Sequence, residues 1–344
     1  MQPISALKLA LGLASSLVVA SLVTARAETV EEFYRKTPVS LYVGSGAGGG
    51  FDEIARVVSM HIGRHIPGNP SIVVKNMPGA GGLLNVNFMY NQAPKDGSAI
   101  AAPFNTVFML PIFGDPAAKF DPRKFTWLGS LDKQTATCVV WHTSSIKTIE
   151  DAQKREVVMG ATGTNATPAI FPNLLNTLLS TRFKIISGYS TTEVRLAMER
   201  GETEGICGLA WQTWRAVSPN WISEKKIRVF GQMGLVKNPE LPEATMVLDT
   251  LKDPNDRQTF ELVVLPQEFG RPFIAPPDIP ADRAKALTDA FHAMMKDPAF
   301  LADAAKIRLG LDPLSGKEIV DMLDHAYKAP KEVVDRAAKF SVVN

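Results

Sequence analysis

Short apolar runs alternate with amphipathic helical patterns along most of the chain. The run Val39–Val43 is typical of a buried strand, and from residue 52 to about 66 apolar positions recur at the spacing of one helix face. Because the connections between these segments are short, the strands are expected to pair in parallel and to form an α/β lobe. The elements predicted for this lobe are strands 39–43, 71–75 and 99–102 and helices 52–66 and 83–91.

The same alternation restarts near residue 137 and predicts a second α/β lobe of about 100 residues. We therefore predict two lobes with a ligand cleft between them: a discontinuous one (28–130 with 230–344) and a second one (131–229). The remaining predicted elements are strands 137–141, 157–160, 183–187, 203–207, 227–230 and 271–275 and helices 149–154, 168–179, 192–200, 283–295, 298–308, 316–324 and 330–339.

The first 27 residues have the pattern of a secretory signal. Lys8 precedes an apolar run from Leu9 to Thr24, and Ala25-Arg26-Ala27 matches a cleavage site. The apolar run is shorter than the about 20 residues that a membrane-spanning helix needs, which makes an uncleaved anchor the less favoured alternative. The sequence thus predicts a periplasmic protein that is cleaved after Ala27.

The charge balance argues against a polyanion-binding protein. The 344 residues include 37 Lys and Arg and 35 Asp and Glu, and loss of Lys8 and Arg26 with the signal makes the two kinds equal in number. A basic surface for nucleic acid is therefore not expected. The hydrophobic content of 45% is typical of a globular chain with well-formed cores.

Two cysteines, Cys138 and Cys207, are too few for a disulfide scaffold or a cysteine-based metal site. In an oxidising compartment they either form one disulfide or remain as two buried thiols in neighbouring strands. The sequence leaves both possibilities open.

A glycine-rich loop, residues 44–50, stands between the first predicted strand and the first predicted helix. Such a loop brings backbone N–H groups and the positive end of a helix to one point, which suits it to hold an anion. A dinucleotide is disfavoured because the next strand ends in Lys75-Asn76 rather than in an acidic residue, and no Gly-Lys-Ser/Thr follows the glycines. Asp52 is predicted to cap the helix that follows.

No catalytic or metal-binding pattern emerges, so neither an enzyme nor a cofactor is predicted. His61 and His65 have the spacing of a two-histidine metal site, but no further ligand completes it, which favours a helix surface. A Gly-x-Ser-x-Gly nucleophile turn is missing from the sequence.

A second turn rich in glycine and hydroxyl groups, residues 160–168, lies between a predicted strand and a predicted helix of the second lobe. It supplies another set of N–H and O–H donors at a helix start. Two such loops, one in each lobe, would hold a ligand with two anionic ends.

The order of these motifs resembles that of the solute receptors of tripartite tricarboxylate transporters, the Bug or TctC family. The resemblance rests on Gly-Gly-Phe-Asp at 49–52 with Ala-Arg at 55–56, Asn-Met-Pro-Gly-Ala-Gly-Gly at 76–82, Pro-Lys-Asp-Gly at 94–97, Met-Glu-Arg-Gly-Glu at 198–202 and Ala-Pro-Pro at 275–277. It spans nearly the whole chain after the signal.

The resemblance implies a type II periplasmic-binding-protein fold, monomeric, whose two lobes close on a small carboxylate and deliver it to the membrane subunits of a transporter. It also implies that loop amides, often through water, hold the ligand. The corresponding positions are Ala47, Gly48, Gly49, Gly50, Phe51, Asn105 and Thr106 in the first lobe and Thr162, Gly163, Thr164, Asn165, Thr167, Tyr189, Ser190 and Trp211 in the second lobe and near the hinge.

The second-lobe motifs depart from the family pattern. Ala166 and Thr167 stand where many members carry Ser-x-x-His, and the usual Pro-Tyr-Lys-Gly turn becomes Gly-Tyr-Ser-Thr at 188–191. The ligand can therefore be a di- or tricarboxylate, or an aromatic acid stacked on Trp211 or Trp214. An exported enzyme acting on a small organic acid and a ligand-sensing subunit of a signalling system remain the alternative functions.

Overall fold

The computed structural model of the protein describes residues 28–48, 50–162 and 166–341. The predicted signal peptide, residues 1–27, lies outside these ranges. Among the helices of the described ranges, none has both the length and the apolar composition that crossing a bilayer requires.

Strands and helices alternate through the described residues, as the sequence pattern predicts. The strands are β1 Val39–Val43, β2 Ile72–Asn76, β3 Ala99–Ala102, β4 Thr126–Ser130, β5 Ala136–Trp141, β6 Val157–Gly160, β7 Phe183–Ile186, β8 Gly205–Ala210, β9 Ile227–Met233, β10 Thr245–Met246 and β11 Pro272–Ala275. The α-helices are α1 Val30–Lys36, α2 Gly50–Ile62, α3 Leu83–Asn91, α4 Ile149–Lys154, α5 Thr167–Leu179, α6 Thr191–Arg200, α7 Trp211–Val217, α8 Pro219–Ser223, α9 Val247–Thr250, α10 Pro254–Val264, α11 Ala281–Met294, α12 Pro298–Lys306, α13 Gly316–Ala326 and α14 Lys331–Ser341. Short 3-10 helices span Gly63–His65, Ala80–Gly82, Asn105–Met109, Pro122–Lys124 and Leu265–Phe269.

The first sheet has the strand order β2-β1-β3-β11-β4. β1 pairs in parallel with both β2 and β3, whereas β11 runs antiparallel between β3 and β4. Since β1 stands between the next two strands of the chain, α2 and α3 must pack on opposite faces of the sheet. Val58 of α2 accordingly packs in one buried cluster with Leu41, and Val86 of α3 packs in another with Phe108.

The second sheet has the strand order β10-β9-β5-β8-β6-β7. β6 pairs in parallel with β7 and β8, so it holds the place that β1 holds in the first sheet. β5 runs antiparallel between β8 and β9. The α/β class predicted from the sequence is confirmed in both sheets.

Two connections cross between the sheets, one from β4 to β5 and one from β10 through α9 and α10 to β11. The lobe boundaries stay a prediction; the strands of the second sheet extend to Met246. The crossing segments are joined by backbone hydrogen bonds from Leu131 N to Arg271 O (3.1 Å), from Gly270 N to Asp132 O (3.0 Å) and from Gln134 N to Gln267 O (2.7 Å).

Cys138 of β5 and Cys207 of β8 are direct partners across the antiparallel pair and form a disulfide. Of the two possibilities that the sequence left open, the structure therefore has the bridge. Both residues are fully buried.

Predicted and observed elements differ mainly at their ends. The helix predicted over 52–66 begins at Gly50 and ends at Ile62, after which a 3-10 turn continues to His65. The strand predicted over 203–207 runs from Gly205 to Ala210. The elements α1, β4 and β10 and the helices between residues 211 and 264 were not predicted.

Candidate functional site

A cleft of about 590 Å³ lies between the two sheets, at the carboxyl ends of β1 and β6. In each sheet, the helices that connect this strand and its neighbours lie on opposite faces of the sheet. This arrangement opens a crevice at the carboxyl end of the strand, which is where ligands of open α/β sheets bind. The residues that line the cleft are Gly50, Phe51, Gly81, Phe104, Asn105, Thr106, Gln134, Thr162, Ala166, Thr167, Pro168, Thr191, Gly208, Leu209, Ala210, Thr213, Gln267 and Arg271.

On the first-lobe side, the glycine loop is fastened by the side chain of Asp52. This carboxylate accepts hydrogen bonds from Gly48 N (2.8 Å), from Arg56 Nε (2.9 Å) and from Asn76 Nδ2 (2.7 Å). Asn76 Nδ2 also donates to the carbonyl of Ser45 at 3.0 Å. The end of β2 and the first turns of α2 thus hold the loop in place.

Asp52 lies in the first turn of α2 rather than before it, because the helix begins at Gly50. From that position it reaches back to the loop amide of Gly48. The hydrogen bond from Arg56, supported by those from Asn76 and Gly48, lowers the pKa of the Asp52 carboxyl to about 2, although burial works against this. The ionised carboxylate neutralises Arg56 and helps to shape the loop.

On the second-lobe side, the start of α5 lies against β8. The Thr167 hydroxyl donates to the Gly208 carbonyl at 2.8 Å, and Gly208 has a φ of +116°. A Cβ at position 208 would come within 2.4 Å of the Thr167 carbonyl oxygen, so only glycine allows this approach. The contact sets the position of the α5 N-terminus at the cleft.

The structure brings six of the predicted ligand-binding residues onto the lining of the cleft. They are Gly50, Phe51, Asn105, Thr106, Thr162 and Thr167. Four further predicted positions lie outside the described residues: Gly49, Gly163, Thr164 and Asn165.

The other five predicted residues are not among those that line the cleft. Ala47 and Gly48 are exposed beside it. The Ser190 hydroxyl accepts from Glu193 N (3.2 Å) and so caps α6, whose first residue, Thr191, lines the cleft instead. Tyr189 and Trp211 pack in an apolar cluster of the second lobe, where Trp211 Nε1 donates to Glu240 Oε2 at 2.7 Å.

Sequence reasoning missed Arg271, which is the one charged residue among the described residues that line the cleft. It stands directly before β11, and its guanidinium pairs with the carboxylate of Asp132 on the other crossing segment. The side chains are 11% and 2% exposed, respectively. Burial raises the pKa of the Asp132 carboxyl to about 6, against the opposing effect of Arg271.

The Arg271 guanidinium has donors left over after this pairing. Its buried Nε makes no hydrogen bond within the described part of the chain. Because a guanidinium presents five N–H donors in one plane, Asp132 can hold one edge while another faces the cleft. No local pattern marks Arg271 in the sequence, since its partner is 139 residues away.

The cleft also has an apolar wall. The rings of Phe51 and Phe104 meet edge to face with their centroids 4.7 Å apart, and both residues line the cleft. An edge-to-face pair of this kind is favourable beyond its buried area. The site thus combines donors with a rigid aromatic surface.

The two histidines with metal-site spacing are engaged elsewhere. His61 Nε2 lies 2.8 Å from an Asp303 oxygen and His65 Nε2 lies 2.9 Å from an Asp297 oxygen. Asp297 is the N-cap of α12, and Asp303 lies within this helix. Both histidines therefore help to pack α2 and the 3-10 turn that follows it against α12.

Comparison with known proteins shows the fold. No family model matches the chain. A Cupriavidus necator protein described as "UPF0065 protein in gbd 5'region" is 23% identical over 335 residues, which cover 94% of this chain and 95% of that protein.

Among solved structures, a TctC solute binding protein from Polaromonas has a TM-score of 0.67 at 16% identity and covers 89% of this chain and 99% of its own. The periplasmic binding protein BugD has a TM-score of 0.59 at 17% identity, covering 89% and 96%. An R. palustris protein solved with adipate has a TM-score of 0.64 at 15% identity, covering 88% and 97%. The resemblance expected from the sequence motifs is confirmed by these similarities.

Proposed function

We propose that this chain, which has the fold of the TctC and Bug periplasmic binding proteins, is an extracytoplasmic receptor for a small organic carboxylate. The receptor would deliver its ligand to the membrane subunits of a tripartite transporter. The observation that carries this proposal is the cleft between the sheets, whose one charged side chain among the described lining residues is Arg271, which is 11% exposed.

The electrostatics of the cleft favour an anion. The first residues of α2, α5 and α6 (Gly50, Thr167 and Thr191) all line it. Each helix start carries unpaired N–H groups and the positive end of the helix dipole. Arg271 is paired with Asp132, so it adds N–H donors at the cleft rather than an uncompensated charge. No acidic side chain opposes them among the described lining residues.

Binding alone, without a covalent step, is what this arrangement suits. The lining contains hydroxyl, amide and backbone groups but no nucleophile paired with a base among its described residues. A ligand that contacts both lobes would favour the closed arrangement, because it binds that arrangement more tightly than the open one. Selectivity would then come from donors that are already in place.

The comparisons support a carboxylate as the ligand. The R. palustris protein of the same fold was solved with adipate, and the signal-like residues 1–27 and the disulfide both suit an exported protein. The membrane partner and a monomeric state are part of the proposal.

The test is thermal unfolding of the mature chain with a panel of mono-, di-, tri- and aromatic carboxylates, amino acids and sugars. A ligand present at a hundred times its Kd adds about 2.7 kcal/mol to the free energy of unfolding, which corresponds to a rise in Tm of about 5 °C. If only sugars or cations raise the Tm, the proposal is wrong.

The matched variants are Arg271→Gln and Arg215→Gln. In Arg271→Gln the side-chain amide still offers Asp132 a donor but carries no charge, so we expect carboxylate affinity to fall at least about tenfold. Arg215 is exposed, pairs with Glu240 at 2.7 Å and is not among the residues that line the cleft, so its variant should bind like the parent protein. Equal affinities of the two variants would contradict the role given to Arg271.

A further inference from the structure

A second cavity of about 180 Å³ lies beside the cleft, and we call it the side chamber. Gly81, Thr106 and Thr167 line both spaces, so the side chamber adjoins the site described above. Its walls are mostly apolar and include Val107, Met109, Leu110, Ile170, Phe171 and Val263.

The side chamber is built from the same elements that hold the cleft. On α5, Thr167 lines the cleft, while Ile170 and Phe171, three and four residues later, line the side chamber. Residues at this spacing lie on one face of a helix. A ligand that is anchored at the start of α5 would therefore have an apolar surface next to it, one helical turn away.

The size of the side chamber fits a phenyl ring or a short hydrocarbon chain. A cavity of about 150 Å³ lined by leucine, isoleucine and phenylalanine side chains binds benzene. The side chamber is slightly larger, and its lining is mostly apolar but includes Thr106, Thr167 and Asp115. A ligand group that fills it would gain affinity from the burial of its apolar surface.

The charge of the side chamber disfavours a second carboxylate. Asp115 is the one charged residue among the described residues that line it, and one of its oxygens accepts from Ala117 N at 2.8 Å. A carboxylate that entered would find no cation among the described lining residues and would be repelled by Asp115. This lining favours a hydrocarbon group over the second carboxylate of a diacid.

We propose that the side chamber is a specificity subsite and that the ligand is a monocarboxylic acid with an apolar tail, either an aromatic ring or a chain of several carbons. This inference rests on the proposed function and narrows its ligand class. The carboxylate lies in the cleft near Arg271 and the start of α5, and the tail lies against Ile170 and Phe171.

The first test is the affinity of the unmodified mature chain for propionate, butyrate, valerate and hexanoate, measured by calorimetry. Each added methylene buried in the side chamber should tighten binding about fourfold. Benzoate and phenylacetate should bind more tightly than propionate, and hexanoate more tightly than adipate. Tighter binding of adipate than of hexanoate would overturn the proposal.

The second test fills the side chamber. Leu110 is half-buried, and Leu110→Trp would occupy part of the space; hexanoate affinity should fall at least about tenfold while propionate affinity changes less than about twofold. The control is Leu301→Trp, at an exposed leucine of α12 that does not line the side chamber. A parallel loss for propionate and hexanoate would contradict the assignment, and the chain-length series decides the matter if the variant does not fold.

The outcomes separate this inference from the proposed function. Should no acid of either kind raise the Tm, including succinate and malate, the carboxylate receptor itself is refuted. If succinate or malate binds and the monocarboxylates show no gain with length, the receptor stands and only the subsite is refuted.

Discussion

The side chain of Asp52 joins parts of the first lobe that are separate in the sequence. It binds the loop through Gly48, its own helix through Arg56 and the end of β2 through Asn76. Three of these four residues belong to the motifs on which the family resemblance rests, namely Asp52, Arg56 and Asn76. In the structure these motif residues shape the glycine loop, while the cleft itself is lined by their neighbours.

We expect Asp52 to make the stability of the protein depend on pH in acid. Its pKa is about 2 in the folded protein and 3.8 as the ordinary value, so the folded state favours the ionised form. The resulting stabilisation, about 2 kcal/mol, is fully present above pH 4 and is lost as the pH falls from about 4 to about 2. Asp52→Asn should therefore be less stable than the parent at pH 6, with a difference that shrinks toward pH 2.5.

Urea unfolding of both proteins across this pH range measures the difference. The raised pKa of Asp132 changes the free energy of unfolding in the opposite direction between pH 6 and 4. This effect is the same in the parent and in Asp52→Asn, so it cancels in their difference. Asp289→Asn is the control, because Asp289 is exposed on α11 and pairs only with Lys285 among the described residues. A difference between Asp52→Asn and the parent that stays constant with pH would contradict the assignment.

For single residues, the sequence indicates a structural role where the partners are close along the chain and misses it where the partners are distant. Asp52 stands next to a glycine loop and four residues before Arg56, a spacing that marks a local role. Arg271 and Asp132 acquire their role only when the two crossing segments meet. Nothing near either residue distinguishes it from a surface charge.

Among the secondary-structure elements, the junction of α5 with β8 determines the second-lobe side of the cleft. Gly208→Ala would place a methyl group 2.4 Å from the Thr167 carbonyl oxygen and would force a φ of +116° on a residue with a side chain. We expect a loss of about 3 kcal/mol in the free energy of unfolding, together with weaker ligand binding because α5 must shift.

Gly188→Ala separates the two causes. Gly188 has a φ of +109°, but a Cβ there would meet no atom within 4 Å, so the variant carries backbone strain without a steric clash. It should lose about 1–2 kcal/mol, measured by denaturant unfolding. If the two variants lose the same stability, the close approach of α5 to β8 is not what requires glycine at 208.

The elements themselves were largely predictable from periodicity, and the short connections predicted the parallel pairing of β1 with β2 and β3, but the antiparallel pairs were not predicted. β1 has buried Val39, Leu41 and Val43 alternating with partly exposed neighbours, which is the pattern the apolar run predicts. The antiparallel place of β5 between β8 and β9 depends on contacts with strands far along the chain. Period and length are local properties, whereas strand order follows from packing of the whole sheet.

For the whole molecule, the two crossing segments are the chain connections between the two sheets. They are joined by three backbone hydrogen bonds and by the Arg271–Asp132 pair. Because Arg271 both lines the cleft and belongs to this connection, an anion bound to it would contact the connection between the sheets directly. The restart of the strand–helix alternation predicted two lobes, and the position of this ion pair within the connection is what the structure adds.

A ligand that closes the cleft should protect backbone amides of both lobes from hydrogen exchange to the same degree. At a hundred times its Kd, amides that exchange only from the ligand-free form should slow about 100-fold, because their exchange is then limited by the unliganded fraction. This slowing of exchange should appear at the same ligand concentration in peptides from both lobes. The peptides cover 50–56 and 105–109 in the first lobe and 167–171 and 191–196 in the second. Peptides from 298–306, which pack against α2 away from the cleft lining, provide the internal control and should change little. Protection confined to one lobe would mean that the ligand contacts only that lobe. Binding of the acid would then not explain closure of the cleft.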